Sequence, residues 1–78
     1  MSDLRARVVD VVSQVTNAPS DVVAGSARFA DIVSWDSLMH VNVVLGLERE
    51  FGVQFDVGEF VLIDSVDQAV RLVQQRRA

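Results

Sequence analysis

The stretch Asp36-Ser37-Leu38-Met39-His40-Val41-Asn42-Val43-Val44-Leu45-Gly46-Leu47-Glu48-Arg49-Glu50-Phe51-Gly52 reads as one amphipathic helix with its own start and stop. Asp36-Ser37 offers capping side chains to the first N–H groups, and Gly52 is the residue type that ends a helix in the left-handed conformation. At about 100° per residue, Val43, Val44, Leu47 and Phe51 cluster on a core face of normal width. Leu38, Val41 and Leu45 recur at i, i+3 and i+7 on a second stripe, well round the helix from the first. Two readings of that stripe are open. Either the helix is central and buries both faces, or the second face is exposed and meets a partner helix or groove. Ser37 and Glu48 project beside it, so a hydroxyl, an acid and an apolar patch share one surface.

Outward from this helix the chain stays helical. Leu4, Val8, Val11, Val12 and Val15 make a stripe over Asp3 to Thr16, with Ser2 or Asp3 as cap and Asn17 followed by Pro19 as the end. Asn17 to Trp35 is a long connection; Val22, Val23, Phe29, Ile32 and Val33 are placed to pin it to the core, as an ordered crossover with room for a short turn of helix. A short element spans Val57 to Leu62. A last helix runs from Ser65 to Arg77, with Ser65 and Gln68 in capping-box spacing and Val66, Ala69, Val70 and Val73 on its apolar stripe. No segment alternates like a strand. The expectation is one all-α domain over 1–78, a small four-helix bundle of three main helices and one short one, with a long first loop.

Composition excludes whole classes of function. The 78 residues, half of them hydrophobic, suffice for one small core. There is no cysteine, hence no disulfide scaffold, no thiolate zinc site and no thiol nucleophile, and the single histidine rules out a His-rich metal centre. Aromatic residues make up 6% and the net charge is −4, which argue against a nucleic-acid surface. Asp56, Glu59 and Asp64 lack the spacing of a calcium loop, so no metal is expected. Neither a secretion signal nor an apolar run of membrane length is visible, so the chain is expected to be soluble, cytoplasmic and without a membrane partner. From Asp31 to Asp67 eight acids outnumber the one base, Arg49, while the remainder holds three acids and six arginines. Such a middle either simply covers a solvated surface or steers basic partners.

Taken alone, Asp36-Ser37 is ordinary capping chemistry. Its setting is less ordinary, because Phe29-Ala30-Asp31-Ile32-Val33-Ser34-Trp35 holds the preceding loop against the core and so presents Ser37 at a fixed place. A first-turn serine also suits a phosphate ester, since free N–H groups and the positive helix end stabilise an anion.

With these residues in view, the chain resembles the acyl carrier proteins. Asp36-Ser37-Leu38 follows an aromatic-aliphatic segment and precedes a helix ending Leu47-Glu48-Arg49-Glu50-Phe51-Gly52-Val53, and the likeness in length, helix order and acidic middle spans the whole chain. The resemblance implies a phosphoprotein in which Ser37 bears 4′-phosphopantetheine, taken from coenzyme A by a separate phosphopantetheinyl transferase with magnesium, with Asp36 supporting attachment. The arm would import the thiol this chain lacks and hold acyl groups as thioesters. The chain would then be no enzyme and have no catalytic residue. By the same resemblance Leu38, Met39, Val41, Asn42, Leu45, Glu48 and Arg49 form the recognition surface for an acyl-loading enzyme, a ketosynthase or other acyl-processing enzymes, with the carrier itself monomeric.

The departures from the family pattern are specific. Ser34 stands where a glycine is usual, with Trp35 between it and the aspartate. Met39, Asn42 and Arg49 stand where fatty-acid carriers tend to have acids, and His40 where a small polar residue is common. They suggest a discrete carrier of polyketide or hybrid polyketide–peptide synthesis. The alternatives are a carrier of fatty-acid synthesis, a peptidyl or aminoacyl carrier, and, from another class, an unmodified helical interaction module. A hydrolase pairing Ser37 with His40 would need an orienting group and an oxyanion site that so short a chain has little room for; His40 is expected at the rim of the core or near the arm.

Overall fold

Asp3 caps the first helix by accepting the N–H of Arg5 at 3.0 Å, and Asn17 ends it with φ at 62°. The computed structural model describes residues 3–77; the choice of Ser2 as cap lies outside them. In chain order the elements are α1 (Leu4–Thr16), α2 (Ser20–Gly25), a 3-10 turn (Phe29–Asp31), α3 (Ser37–Phe51), α4 (Val57–Leu62) and α5 (Val66–Arg77). No strand occurs among the described residues.

The crossover is more structured than an ordered loop. Pro19 precedes Ser20, so α2 starts where a missing N–H costs nothing, and Val23 alone of its residues is buried. Val22 does not pin the crossover, because a six-residue helix turns it away from Val23 and leaves it exposed. Phe29 is the anchor the sequence implies: it is buried, and its N–H donates to the Asp64 carbonyl at 2.9 Å.

Helices α1, α3 and α5 enclose a core built mostly of valine. Short β-branched side chains let the axes come close, and at Gly46 a Cβ would lie 2.9 Å from Val11 Cγ1. Val9 and Leu72, outside the stripes read from sequence, are also buried. Gly52 ends α3 with φ at 65°, and its N–H donates to the Glu48 carbonyl. Ser65 starts α5, its hydroxyl accepting the Gln68 N–H at 3.1 Å.

Short α4 is held by polar contacts. Asp56 and Glu59 cap it reciprocally, each carboxylate accepting the other's backbone N–H, and Arg76 of α5 reaches both carboxylates. Arg5 pairs with Asp67 and Arg7 with Glu50, so arginines of the two ends reach into the acidic middle and relieve its self-repulsion. Arg7 also lies over the Phe51 ring, 4.7 Å from its centroid, with Arg77 5.9 Å from it.

Two outcomes follow from this packing. Alanine at position 46 gains up to about 1 kcal/mol of helix propensity, but forcing Val11 aside costs about 1–3 kcal/mol. Gly46→Ala should therefore lower the melting temperature in calorimetry, with circular dichroism at room temperature unchanged. The hydrogen bond from Arg76, with that from the Asp56 N–H, holds the Glu59 carboxyl below the ordinary carboxylate range. A depressed carboxyl stabilises the fold at neutral pH and loses that contribution as pH falls through its folded value. Melts across an acid pH series should show a loss of stability that is shallower in Arg76→Gln than in the wild type.

Candidate functional site

Ser37 is the first residue of α3 and is exposed. Asp36 is the N-cap: its Oδ1 accepts the Met39 N–H at 2.8 Å, and its carbonyl accepts the His40 N–H at 3.0 Å. The cap therefore commits the aspartate to the backbone and leaves the serine hydroxyl at the positive end of a 15-residue helix. That chemistry fits a phosphate ester: an accessible oxygen nucleophile, beside a helix end that favours negative charge.

The second stripe is resolved in favour of exposure. Val43, Val44 and Leu47 are buried against α1, whereas Leu38 is 68%, Val41 37% and Leu45 49% exposed. The stripe runs along α3 from Ser37, with Asn42 and Arg49 also open to solvent. Met39 and Glu48 are half-buried. Glu48 has a structural task that its place in the pattern did not reveal: its Oε2 accepts the Phe55 N–H at 2.8 Å and ties the segment after α3 back onto the helix.

Sequence reasoning missed two features here. Val57, Val61 and Leu62 leave α4 with an apolar outer surface; four apolar residues on one short element, more than a single core contact needs, were the available signal. The second is a run of rings beside Ser37. Phe29 stacks on Trp35 with centroids 4.8 Å apart, Trp35 meets His40 edge-on, and His40 meets Phe60 edge-on at 4.6 Å. Trp35 Nε1–H donates to His40 Nδ1 at 3.1 Å, and His40 Nε2 lies 2.7 Å from the Phe60 carbonyl. His40 thus sits at the rim of the core, engaged through both nitrogens, and is not paired with Ser37. A cavity of about 180 Å³ opens beside these rings, lined by Phe29, Ala30, Trp35 and His40, with Arg28 and Asp64 as its charged residues.

The site is thus an exposed serine on a capped helix start, flanked by an exposed apolar stripe. Comparison with known proteins gives it a family. A family model described as "Phosphopantetheine attachment site" matches residues 6–73. A curated "Acyl carrier protein" of Phenylobacterium zucineum (strain HLK1) is 33% identical over 76 residues, 97% of this chain and 96% of that protein. The chain belongs to the acyl carrier family defined by phosphopantetheine attachment. Its cofactor is covalently attached 4′-phosphopantetheine, and members of the family are carriers on which enzymes act. No helix among the described residues is long and apolar enough to cross a membrane.

Proposed function

We propose that Ser37 is the attachment residue, that Asp36 supports it by fixing the helix start, and that the chain is a single carrier domain delivering acyl intermediates between enzymes of a polyketide or hybrid polyketide–peptide pathway. The observation that carries the reading is the exposed Ser37 hydroxyl at the capped start of α3, continuous with the open stripe Leu38, Val41 and Leu45. In the transfer, the serine oxygen bonds to the pantetheine-bearing phosphorus of coenzyme A while the diphosphate bond breaks. Adenosine bisphosphate leaves, and the hydroxyl proton passes to the transferase. When bound, the arm supplies the thiol that carries the acyl group. The chain's own residues would present that arm: the start of α3 would stabilise the charge of a phosphate on Ser37, and the stripe would dock the enzyme that uses it.

The character of the docking surface supports the pathway reading. Met39, Asn42 and Arg49 make α3 less acidic than the recognition helix of a fatty-acid carrier, so partners of this chain would rely more on apolar contact than on basic patches. With Leu38, Val41 and Leu45 they form the surface for the phosphopantetheinyl transferase, the acyl-loading enzyme and a ketosynthase. Glu48 contributes through the carboxylate oxygen that Phe55 does not occupy. The domain acts as a cytoplasmic monomer. A fatty-acid or aminoacyl carrier is the second reading, to be separated by the mass of the cargo on protein purified from its host.

Ser37→Ala should accept no arm from coenzyme A, magnesium and a promiscuous transferase, as read by intact mass, and should keep its helical circular dichroism. Modification of that variant would remove Ser37 from the reading. Leu45→Asp should melt within about 0.5 kcal/mol of the wild type, as exposed substitutions do, and should slow acyl transfer to a partner by the equivalent of about 1–2 kcal/mol. Unfolding of Leu45→Asp would return the stripe to the core.

A further inference from the structure

The approach to Ser37 is joined to α4 through one imidazole. Among the described residues, the segment 33–36 makes its hydrogen bonds only with α3, so its polar link to α4 runs through His40. Indole N–H is a donor only, which fixes His40 Nδ1 as an acceptor and Nε2–H as the donor to the Phe60 carbonyl. That carbonyl lies in the last turn of α4, where helix geometry leaves acceptors without intrahelical partners. The same imidazole therefore satisfies the half-buried indole two residues before Ser37 and a helix end twenty residues further along.

We propose that His40 is a positioning residue for the modification of Ser37: the bridge Trp35–His40–Phe60 holds the turn ahead of Ser37 at a set place against α4, and its loss leaves a turn that the transferase must order on binding. The inference rests on Ser37 being the attachment residue. Without the bridge, the Trp35 N–H is left unpaired, which draws the indole from its stack on Phe29 towards water. Ordering the turn then becomes a cost of the encounter, and the effect falls on KM rather than kcat.

The bridge needs a neutral imidazole, because a protonated ring carries N–H at both positions and offers Trp35 no lone pair. The charged groups around it are few. Arg28 of the crossover and Asp64 ahead of α5 line the same cavity. Asp36 precedes it by one turn on α3 with its carboxylate on Met39, and Glu59 stands next to Phe60 on α4 with its carboxylate on Arg76. None of these supplies an acceptor for the indole, so the bridge depends on the lone pair of His40 Nδ1 alone.

The test measures arm transfer to the whole chain by a phosphopantetheinyl transferase with coenzyme A and magnesium. His40→Leu and Trp35→Phe should raise KM for the carrier by about five-fold, the scale of one neutral hydrogen bond, with kcat little changed. His40→Gln, whose amide can both accept and donate, should keep KM near the wild-type value. Trp35 is the only tryptophan, so its emission should shift to the red in His40→Leu and stay near the wild type in His40→Gln. If His40→Leu does not fold, Trp35→Phe decides, since it keeps a ring on Phe29 and deletes only the donor. A wild-type KM in folded Trp35→Phe or in folded His40→Leu overturns the bridge. Arm addition to Ser37→Ala overturns the attachment reading instead.

Discussion

Helix α3 lies so close to α1 that a Cβ at position 46 would come within 2.9 Å of Val11 Cγ1, and this contact sets the rotation of α3 about its own axis. With Gly46 turned onto α1, Val43, Val44 and Leu47 point inward and Leu38, Val41 and Leu45 have nowhere to go but out. The exposed stripe is thus a consequence of core packing rather than a separate feature. Because Asp36 and Gly52 fix the two ends of the helix, the rotation also decides where the Ser37 hydroxyl sits relative to that stripe. A bundle of small, stiff valines is well suited to this task, since such side chains have few alternative rotamers through which α3 could slide or turn.

Much of this was legible in the chain. The α3 limits, the span of α4, the Asn17 and Gly52 stops and the inward face of α3 are local properties, written in capping residues and helical spacing. The outward stripe was visible as apolar excess, but its fate was not, because periodicity reports a second face without saying what covers it. A short turn of helix was legible in the crossover, but the limits of α2 were not, because its single buried residue, Val23, makes no stripe. The roles of Glu48, Trp35, His40 and Phe60 depend on pairings between elements, such as His40 with a carbonyl twenty residues away. No spacing rule announces a contact of that kind.

Along the chain the acidic residues form a block of like charge; in the fold most of them have separate backbone or arginine partners. Asp36 caps α3, Asp56 and Glu59 cap α4, Asp31 accepts the Arg28 N–H, Glu48 holds the Phe55 N–H, and Glu50 and Asp67 face arginines of α1. Acid content in a helical protein this small is therefore largely a record of how many helix starts and chain reversals it must satisfy. What remains for partners is the residual field, with an apolar stripe at its centre.

Helix α4 contains no fully buried residue; it is secured by its capping pair, by Arg76 and by the half-buried Phe60. Local opening free energies track buried apolar contact, so this element belongs at the labile end of the molecule while α1 and α3 define its global stability. The domain is thus a frame of α1, α3 and α5 beside one element that has less buried surface to hold it. Amide exchange would register this as a cooperative unit of low protection from 57 to 62, next to slowly exchanging amides in the middle of α1 and α3. A carrier so built would yield first on the α4 side of α3, while α3 itself stays in register.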